Sequence, residues 1–316
     1  TPFNLFEKLK TYNDQFFTEK NVYSWTYVDE QKAKLEWLKN YPLENNPYAD
    51  LPKLNIFTYD LNKDLNKKYL DTDEAFSFKE FFKVKTKKNS EIYKHQVPNF
   101  DSIPEGSFIH EKDVLNFLDL LFLHSNYPYT REYKNIFRHT LWMLPGVKEA
   151  KALSKLLKEH RYFNTYNVVN VAGDGDEEER FDNALKKVKD AITKNPDKTK
   201  TITLSCGRLT TGVTVKPWNA VLMLSGSTNT SAIGYLQTIF RVQSPFTFNG
   251  KVKEDCYVFD FAPDRTLKVI TEAITSSNIG SDAFKNKEII SEFINFCPII
   301  SIEGSEMKAH NVDTMM

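Results

Sequence analysis

The pattern of hydrophobic and polar positions changes character near residue 131 of this chain. Beyond that point, short apolar runs alternate with segments whose apolar residues recur at helical spacing. Short apolar runs are typical of buried strands, and recurrence at i, i+3 and i+4 is typical of amphipathic helices. Strands and helices in alternation favour a parallel sheet that is covered by helices on both faces. We therefore predict an α/β fold for this part of the chain.

The elements that the pattern predicts after residue 131 can be placed along the sequence. The predicted strands are His139–Leu144, Asn167–Ala172, Thr201–Ser205, Ala220–Gly226 and Cys256–Ala262. The predicted helices are Val147–His160, a helix capped by Asp174 and Asp176, and a helix that carries Gln237 and Arg241. Ligands of parallel sheets bind at the carboxyl ends of the strands. The loop 207–214 directly follows a predicted strand and is therefore a candidate site.

The residues before 131 are less regular. Alternation over 21–28 predicts a strand with Tyr23, Trp25 and Tyr27 on one face. Packing of a half-buried strand explains this face, and stacking on nucleic-acid bases is the alternative. The other predictions here are helices over 32–40 and 112–123, a strand over 54–61, and surface loops with short helices over 62–105.

Composition and charge exclude few classes of function. The net charge is zero, but a neutral sum can hide a basic stripe, so nucleic acid stays a possible partner. Cys206, Cys256 and Cys297 show neither metal-ligand spacing nor a disulfide framework, which fits a reducing cytosol. No apolar run approaches the roughly 20 residues of a membrane span. Thr1 is not an initiator Met, so we expect an excised or processed piece of a longer protein.

The first candidate site is the loop with Thr210, Thr211 and Gly212. Hydroxyl and amide donors with little side-chain bulk can hold phosphates without reading bases. Glycine also lets the backbone come close to a ligand. An ordinary turn explains the same three residues when they are considered alone, so the assignment depends on the strand before them and the helix after them.

The second candidate site is the pair Gln237 and Arg241. The two residues are four apart, so on a helix they share one face. A guanidinium is always charged and presents a rigid fork of donors, which suits the charge on a transferring phosphoryl group. A solvated or salt-bridged edge of the helix is the alternative explanation of this pair.

These pieces together resemble a known family. In order along the chain they are TITLSCGRLTTGVTV (201–215), AVLMLSG (220–226), YLQTIFRVQSP (235–245) and CYVFDFA (256–262). They resemble motifs V and VI in the second RecA-like domain of a superfamily 2 helicase or DNA translocase. HTLWML (139–144) is similar to the strand around motif IV, and Thr1–Asn4 is similar to the end of motif III. Within this family, the chain is similar to the helicase subunits of type III-like restriction–modification enzymes.

The resemblance implies a domain organisation and a set of ligands. It implies the end of a first RecA-like domain at 1–20, an irregular α+β connector at 21–130, a second RecA-like domain at 131–270 and an extension at 271–316. The function would be ATP-dependent translocation or unwinding of DNA. The expected partners are DNA, the missing first RecA-like domain and a nuclease or methyltransferase module, with no membrane. The expected cofactors are ATP and Mg²⁺, and both would need the missing domain.

The resemblance also implies roles for individual residues. Arg241 and Gln237 would be catalytic, and Arg241 and Gly212 would contact the cofactor. Thr210, Thr211 and Gly212 would hold the nucleic-acid backbone.

Several departures from the family keep other functions open. Phe240 stands where motif VI has Gly, and Ser244 stands where it has its last Arg. The sequence contains no Gly-x-x-x-x-Gly-Lys-Ser/Thr phosphate loop and no acidic metal-binding box at a strand end. One alternative is therefore a non-catalytic RecA-like scaffold that binds nucleic acid or protein. An ordinary α/β nucleotide-binding enzyme is a third possibility, against which the lack of a phosphate loop counts.

Overall fold

The computed structural model describes residues 11, 23, 25–61, 69, 76–173, 181–210, 212–225, 231–262, 266–269, 271–272, 283–303 and 306–310. Its strands are β1 (Lys53–Tyr59), β2 (His139–Met143), β3 (Asn167–Asn170), β4 (Thr201–Ser205), β5 (Ala220–Met223), β6 (Thr247–Phe248), β7 (Lys251–Val252), β8 (Asp255–Asp260), β9 (Ile299–Glu303) and β10 (Glu306–Ala309). Its helices are α1 (Tyr27–Asn40), α2 (Phe78–Phe81), α3 (Ser90–Tyr93), α4 (Glu111–Leu123), α5 (Val147–Glu159), α6 (Phe181–Ile192), α7 (Ala232–Ile239) and α8 (Ala283–Phe296).

Eight of the described strands form one sheet, in the order β10-β9-β1-β8-β5-β2-β4-β3. Every neighbouring pair is parallel except β9 and β10. The chain moves from β2 to β3 in one direction along the sheet, then back to β4, and finally across β2 to β5. Because parallel crossovers are right-handed, the reversal at β3 places α5 on one face of the sheet and α6 and α7 on the other.

The central strands are buried on both faces. All residues of β2, β4 and β5 are buried, as expected for strands inside a covered parallel sheet. On β2, Trp142 packs into the hydrophobic cluster that includes α4 and α5, whereas Leu141 and Met143 pack into the cluster that includes α6, α7 and α8. The predicted fold class, an α/β parallel sheet with helices on both faces, is therefore confirmed.

The predicted strand over 21–28 is wrong for the residues that the structure describes. Helix α1 begins at Tyr27, because Thr26 accepts a hydrogen bond from the Asp29 amide and Asp29 accepts one from the Thr26 amide. This reciprocal capping box fixes a helix start and outweighs the alternating pattern. Tyr23 and Trp25 are exposed, whereas the Tyr27 hydroxyl donates to the Phe296 carbonyl. The three rings therefore do not form one packed face.

The interpretation of 62–105 as surface loops with short helices is wrong in one respect. Short helices are present, but they carry buried aromatic side chains: Phe76, Phe78, Phe81, Phe82 and Phe100. A polar majority in the sequence conceals these rings. All of these rings except that of Phe100 pack with α4 against one face of the sheet and extend its hydrophobic core.

The sheet includes strands from outside the predicted second RecA-like domain. Strand β1 lies between β8 and β9, so a segment of the predicted connector and a segment of the predicted extension pair with each other. The domain boundaries themselves stay a prediction. The motif III resemblance at Thr1–Asn4 and the acidic helix cap at Asp174 and Asp176 lie outside the described residues. Among the described helices, none is long and apolar enough to cross a membrane.

A buried histidine makes the stability of the sheet depend on pH. Nε2 of His139 lies 2.9 Å from the Pro196 carbonyl and Nδ1 lies 2.9 Å from the Thr201 hydroxyl. A carbonyl only accepts, so Nε2 carries the proton of the neutral ring. Burial lowers the pKa of His139 below its usual value, and burial lowers that of His160 as well.

We expect the free energy of unfolding to fall as the pH is lowered from 7 to 5. The unfolded chain takes up protons near pH 6.5, whereas the folded histidines resist protonation. Urea unfolding of the parent and of His139→Gln at pH 7, 6 and 5 measures this effect. The variant should be less stable at pH 7 and should lose part of the pH dependence, and His160 should retain the rest. An equal pH dependence in both proteins would contradict the role of His139.

Candidate functional site

The first part of the candidate site begins at the edge of the sheet where β2, β4, β5 and β8 end. These strands are parallel neighbours, so their carboxyl ends meet at one edge. The segment that follows β4 contains the predicted phosphate-holding loop, and the segment that follows β5 leads into α7. The turn that carries Arg241, however, contacts Pro52 and Lys253, just before β1 and β8 begin. The two candidate sites therefore meet at Val213 and not at this edge.

The loop after β4 is held by its own hydrogen bonds. The Ser205 hydroxyl donates to the Arg208 carbonyl at 2.6 Å and accepts from the Gly207 amide at 3.2 Å. The Thr210 hydroxyl donates to the Gly207 carbonyl at 2.7 Å. The hydroxyl proton of Thr210 is thus engaged within the loop, which leaves its oxygen as an acceptor and assigns it a role in loop shape.

Gly212 is an exposed position in this loop. The side chains of Leu209 and Val213 on either side are buried in the core, whereas Gly212 is exposed. Its φ is +68°, in the left-handed region that favours glycine. A Cβ at this position would meet no atom within 4 Å, so the backbone faces open space. Thr211 lies outside the described residues.

Arg241 joins the second candidate site to the first. It lies in a 3₁₀ turn, Phe240–Gln243, that continues α7. Its Nε donates to the Gln237 carbonyl at 3.1 Å, and its Nη1 donates to the Val213 carbonyl at 2.7 Å. These bonds use two of the five N–H donors of the guanidinium. The half-buried arginine therefore ties the loop to the helix and keeps donors for another ligand.

Gln237 lies one turn before Arg241 and is half-buried. Within the described residues its side chain makes no hydrogen bond, and its backbone carbonyl is the group that contacts Arg241. The structure thus places Gln237 beside Arg241, as the spacing predicts. Its proposed catalytic role stays a prediction.

The Phe240 departure from motif VI has a structural explanation. Its ring centroid lies 6.4 Å from that of Tyr27, at the start of α1. The Tyr27 hydroxyl also accepts from the Leu54 amide at 3.1 Å. A ring at position 240 thus packs α1 against the 3₁₀ turn, a contact that glycine could not make. Ser244 ends the same turn and supplies no second guanidinium.

Two charged residues that sequence reasoning missed position these elements, one buried and one half-buried. Asp260, at the end of β8, accepts from the Tyr235 hydroxyl and from the Ala262 amide, both at 2.9 Å. Because Tyr235 lies on α7, this carboxylate fixes the helix against the strand edge. The available signal was an acid at the end of the apolar run 256–262.

Lys253 fixes the other end of the loop. Its ammonium donates to the carbonyls of Lys216, Trp218 and Val242 at 2.9–3.0 Å. Burial lowers its pKa to about 8. In the sequence, this lysine is one charged residue among others such as Lys251 and Glu254, and no pattern distinguishes it. It joins the segment after the loop to the turn that holds Arg241.

The described residues contain no cluster of three His, Cys, Asp or Glu side chains that could hold a metal ion. Cys206 is half-buried rather than fully buried, and burial raises the pKa of its thiol. Its small side chain packs against the core cluster.

Comparison with known proteins gives one relative by sequence. The chain resembles a Mycoplasma pneumoniae protein provisionally named as the C-terminus of a type II restriction enzyme and methyltransferase. The two are 31% identical over an alignment of 327 positions, gaps included, which covers 94% of this chain. The chain spans 41% of the length of that relative. This similarity confirms the predicted resemblance to restriction–modification proteins. No family model matches the chain.

Solved structures give partial superpositions. The ATP-dependent Type ISP restriction–modification enzyme LlaBIII bound to DNA superposes with a TM-score of 0.43 at 12% identity, over 81% of this chain and 16% of that one. Domain 2 of the DEAD-box helicase Mss116p bound to an RNA duplex superposes with a TM-score of 0.34 at 13% identity, over 76% of this chain and 69% of that one.

Proposed function

We propose that this chain is the second RecA-like half of an ATP-dependent DNA helicase or translocase in a restriction–modification system. One observation carries the proposal: Arg241 donates directly to the Val213 carbonyl, one residue beyond Gly212. The residue expected to face nucleotide and the loop expected to face DNA are thereby joined by a single hydrogen bond. The restriction–modification relative supports the assignment to such a system.

ATP would supply the free energy of movement when it is bound between this domain and a first RecA-like domain. The residues of this chain fit part of that ligand. Arg241 has donors left over after its two bonds to carbonyls, and a guanidinium suits phosphate oxygens. This sequence contains neither a Gly-x-x-x-x-Gly-Lys-Ser/Thr phosphate loop nor an acidic metal-binding box at a strand end, so the other RecA-like domain would provide them.

The hydrogen bond between Arg241 and Val213 suggests how the two ends of the site communicate. An N–H that donates to the Val213 carbonyl cannot point at the same time toward a ligand on the other side. A ligand that draws the guanidinium away from this carbonyl would therefore release the backbone beside Gly212. We infer that the affinity of the loop for DNA changes with the position of Arg241.

A non-catalytic scaffold is the second candidate function, and a specific observation favours it. Phe240 occupies the glycine position of motif VI with a packed aromatic ring, and Ser244 leaves the usual second arginine position without a guanidinium. A scaffold would keep the loop and the sheet but would not turn over ATP. Turnover by the intact protein distinguishes the two functions.

The DNA-binding part of the proposal is tested at the loop. We expect Thr211→Ala in the intact protein to weaken binding to two unrelated duplexes equally, because phosphates are held and base edges are not. A hydrogen bond to a charged group contributes about 1.5–3 kcal/mol, so its loss corresponds to affinity weaker by roughly 10- to 150-fold. The dependence of affinity on salt should stay unchanged, since no charge is removed.

Binding to both duplexes is measured by fluorescence anisotropy over a salt series. Thr214→Ala, at an exposed position further along the same segment, is the matched control and should bind like the parent. Loss on one duplex alone would indicate base readout. Equal affinity of Thr211→Ala and parent on both duplexes would remove this loop from the DNA-binding surface.

A further inference from the structure

A groove lined by lysine side chains lies away from the Arg241 site. One wall is formed by the segments 84–88 and 104–107, and the other by the first half of α5. Its volume is ≈ 650 Å³. The first wall is held by an antiparallel bridge between Val84 and Phe108. Two backbone hydrogen bonds add to it, from the Lys85 amide to the Ser107 carbonyl and from the Gly106 amide to the Lys85 carbonyl. The groove is therefore a formed feature of the fold.

One of the lysines in the groove has a structural role. The Lys85 ammonium donates to the carbonyls of Phe100 and Ile103 at 2.8 and 2.7 Å. It also lies 4.4 Å from the centroid of the Phe100 ring. These contacts use the charge of Lys85 to fold the wall, so it contributes less to any ligand than its neighbours do.

The other five lysines are exposed: Lys87, Lys88, Lys148, Lys151 and Lys155. None of the five makes an ion pair or a side-chain hydrogen bond within the part of the chain that the structure describes. The acidic side chain in the lining is that of Glu105. A chain with zero net charge thus concentrates positive charge in one groove, and such concentration attracts polyanions.

The spacing of the lysines on α5 fits a charged strand. Lys148, Lys151 and Lys155 follow one another at three and four residues and so lie on one face. At about 1.5 Å per residue they span roughly 10 Å of helix. One strand of duplex DNA places about three phosphates in that distance, at about 3.4 Å per charge.

The groove also adjoins the edge of the sheet that carries the candidate site. Helix α5 follows directly after β2, and its residues Ala150 and Leu153 belong to the cluster against which Cys206 packs. Cys206 immediately precedes the loop that contains Gly212. A ligand that contacts the loop can therefore continue toward the start of α5.

We propose that this lysine groove is a second binding site for the phosphate backbone of duplex DNA. The inference extends the proposed function, from which it takes DNA as the polyanion, and assigns the groove to holding the duplex beside the motor site. The five lysines contact phosphates and carry no base preference. Binding of DNA in this groove requires neither ATP nor Arg241.

The experiment measures binding of a 20-base-pair fluorescent duplex to this chain, without nucleotide, from low to moderate salt. The variants are Lys151→Gln with Lys155→Gln, and Lys87→Gln with Lys88→Gln. Each phosphate contact contributes about 0.9 to the slope of log affinity against log salt, so each double variant should reduce the slope by about 1.8. All four positions are exposed, and urea midpoints check that the variants fold as the parent does.

The matched control is Lys186→Gln with Lys189→Gln, which removes the same charge from exposed positions on α6, on the opposite face of the sheet. It should keep the parent slope. Equal slopes for parent and groove variants, or absence of duplex binding at low salt, would overturn the proposal. Competition by polyglutamate as effective as unlabelled duplex at equal charge would overturn the assignment to DNA.

The outcome separates this inference from the motor proposal. If the groove variants lose slope while the intact protein never hydrolyses ATP, the groove stands and the motor function fails. If ATP turnover depends on Arg241 while the slopes do not change, the motor stands and the groove fails.

Discussion

Replacement of Arg241 by alanine should reduce DNA-stimulated ATP hydrolysis by the intact protein on the order of 10³-fold, the usual cost of losing a finger-type arginine. The guanidinium is the charged group that the structure places between the loop after β4 and α7. Its removal takes positive charge from the expected phosphate position and also frees the Val213 carbonyl. The measurement is steady-state phosphate release with saturating duplex DNA.

The loss of stability in Arg241→Ala must be separated from the loss of catalysis. Loss of the bond to Val213 should destabilise the domain by about 1 kcal/mol, the typical contribution of one hydrogen bond, and urea unfolding measures it. Arg241→Lys keeps the charge, but its compact ammonium lacks the planar fork, so turnover should stay well below that of the parent.

Arg161→Ala is the matched control for the loss of an arginine. Arg161 has an exposed side chain that contacts Asp119 at 3.1 Å, away from the loop after β4. It should retain parental turnover. An unchanged turnover number in Arg241→Ala would mean that this arginine only holds the loop.

Elements with an unambiguous apolar period were predictable from the sequence. Strand β4 and helix α5 match their predicted positions to within one residue, because burial on both faces or on one stripe leaves a clear pattern. The start of α1 was not predictable from alternation, since the capping box of Thr26 and Asp29 outweighs it. The buried aromatic residues from Phe76 to Phe82 were concealed by polar neighbours in sequence that face solvent.

The candidate site was predictable in part. The four-residue spacing of Gln237 and Arg241 and the position of Gly212 after a strand follow from local patterns. The contact of Arg241 with Val213 depends on how α7 packs beside the loop, and no local spacing encodes it. The same holds for Lys253, whose three carbonyl partners come from separate turns. The lysine groove escapes prediction because its two walls are distant in sequence.

The most direct test of the central claim is displacement of a third strand from duplex DNA by the intact protein, meaning the polypeptide with both RecA-like halves. A translocase moves along the duplex and removes a triplex-forming strand. If the protein is a translocase, displacement should require ATP and stop with a non-hydrolysable analogue. It should also show a lag that lengthens with the distance to the triplex. The largest contrast should be between the intact protein and this chain by itself, which should neither hydrolyse ATP above background nor displace the strand.

The same preparation must bind duplex DNA and unfold cooperatively in urea, so that a negative result concerns the motor and not the folding of the sample. ATP-dependent displacement that disappears in Arg241→Ala is the result that the account predicts. A folded, DNA-binding protein that neither hydrolyses ATP in the presence of DNA nor displaces the third strand would contradict the motor function and establish the scaffold in its place.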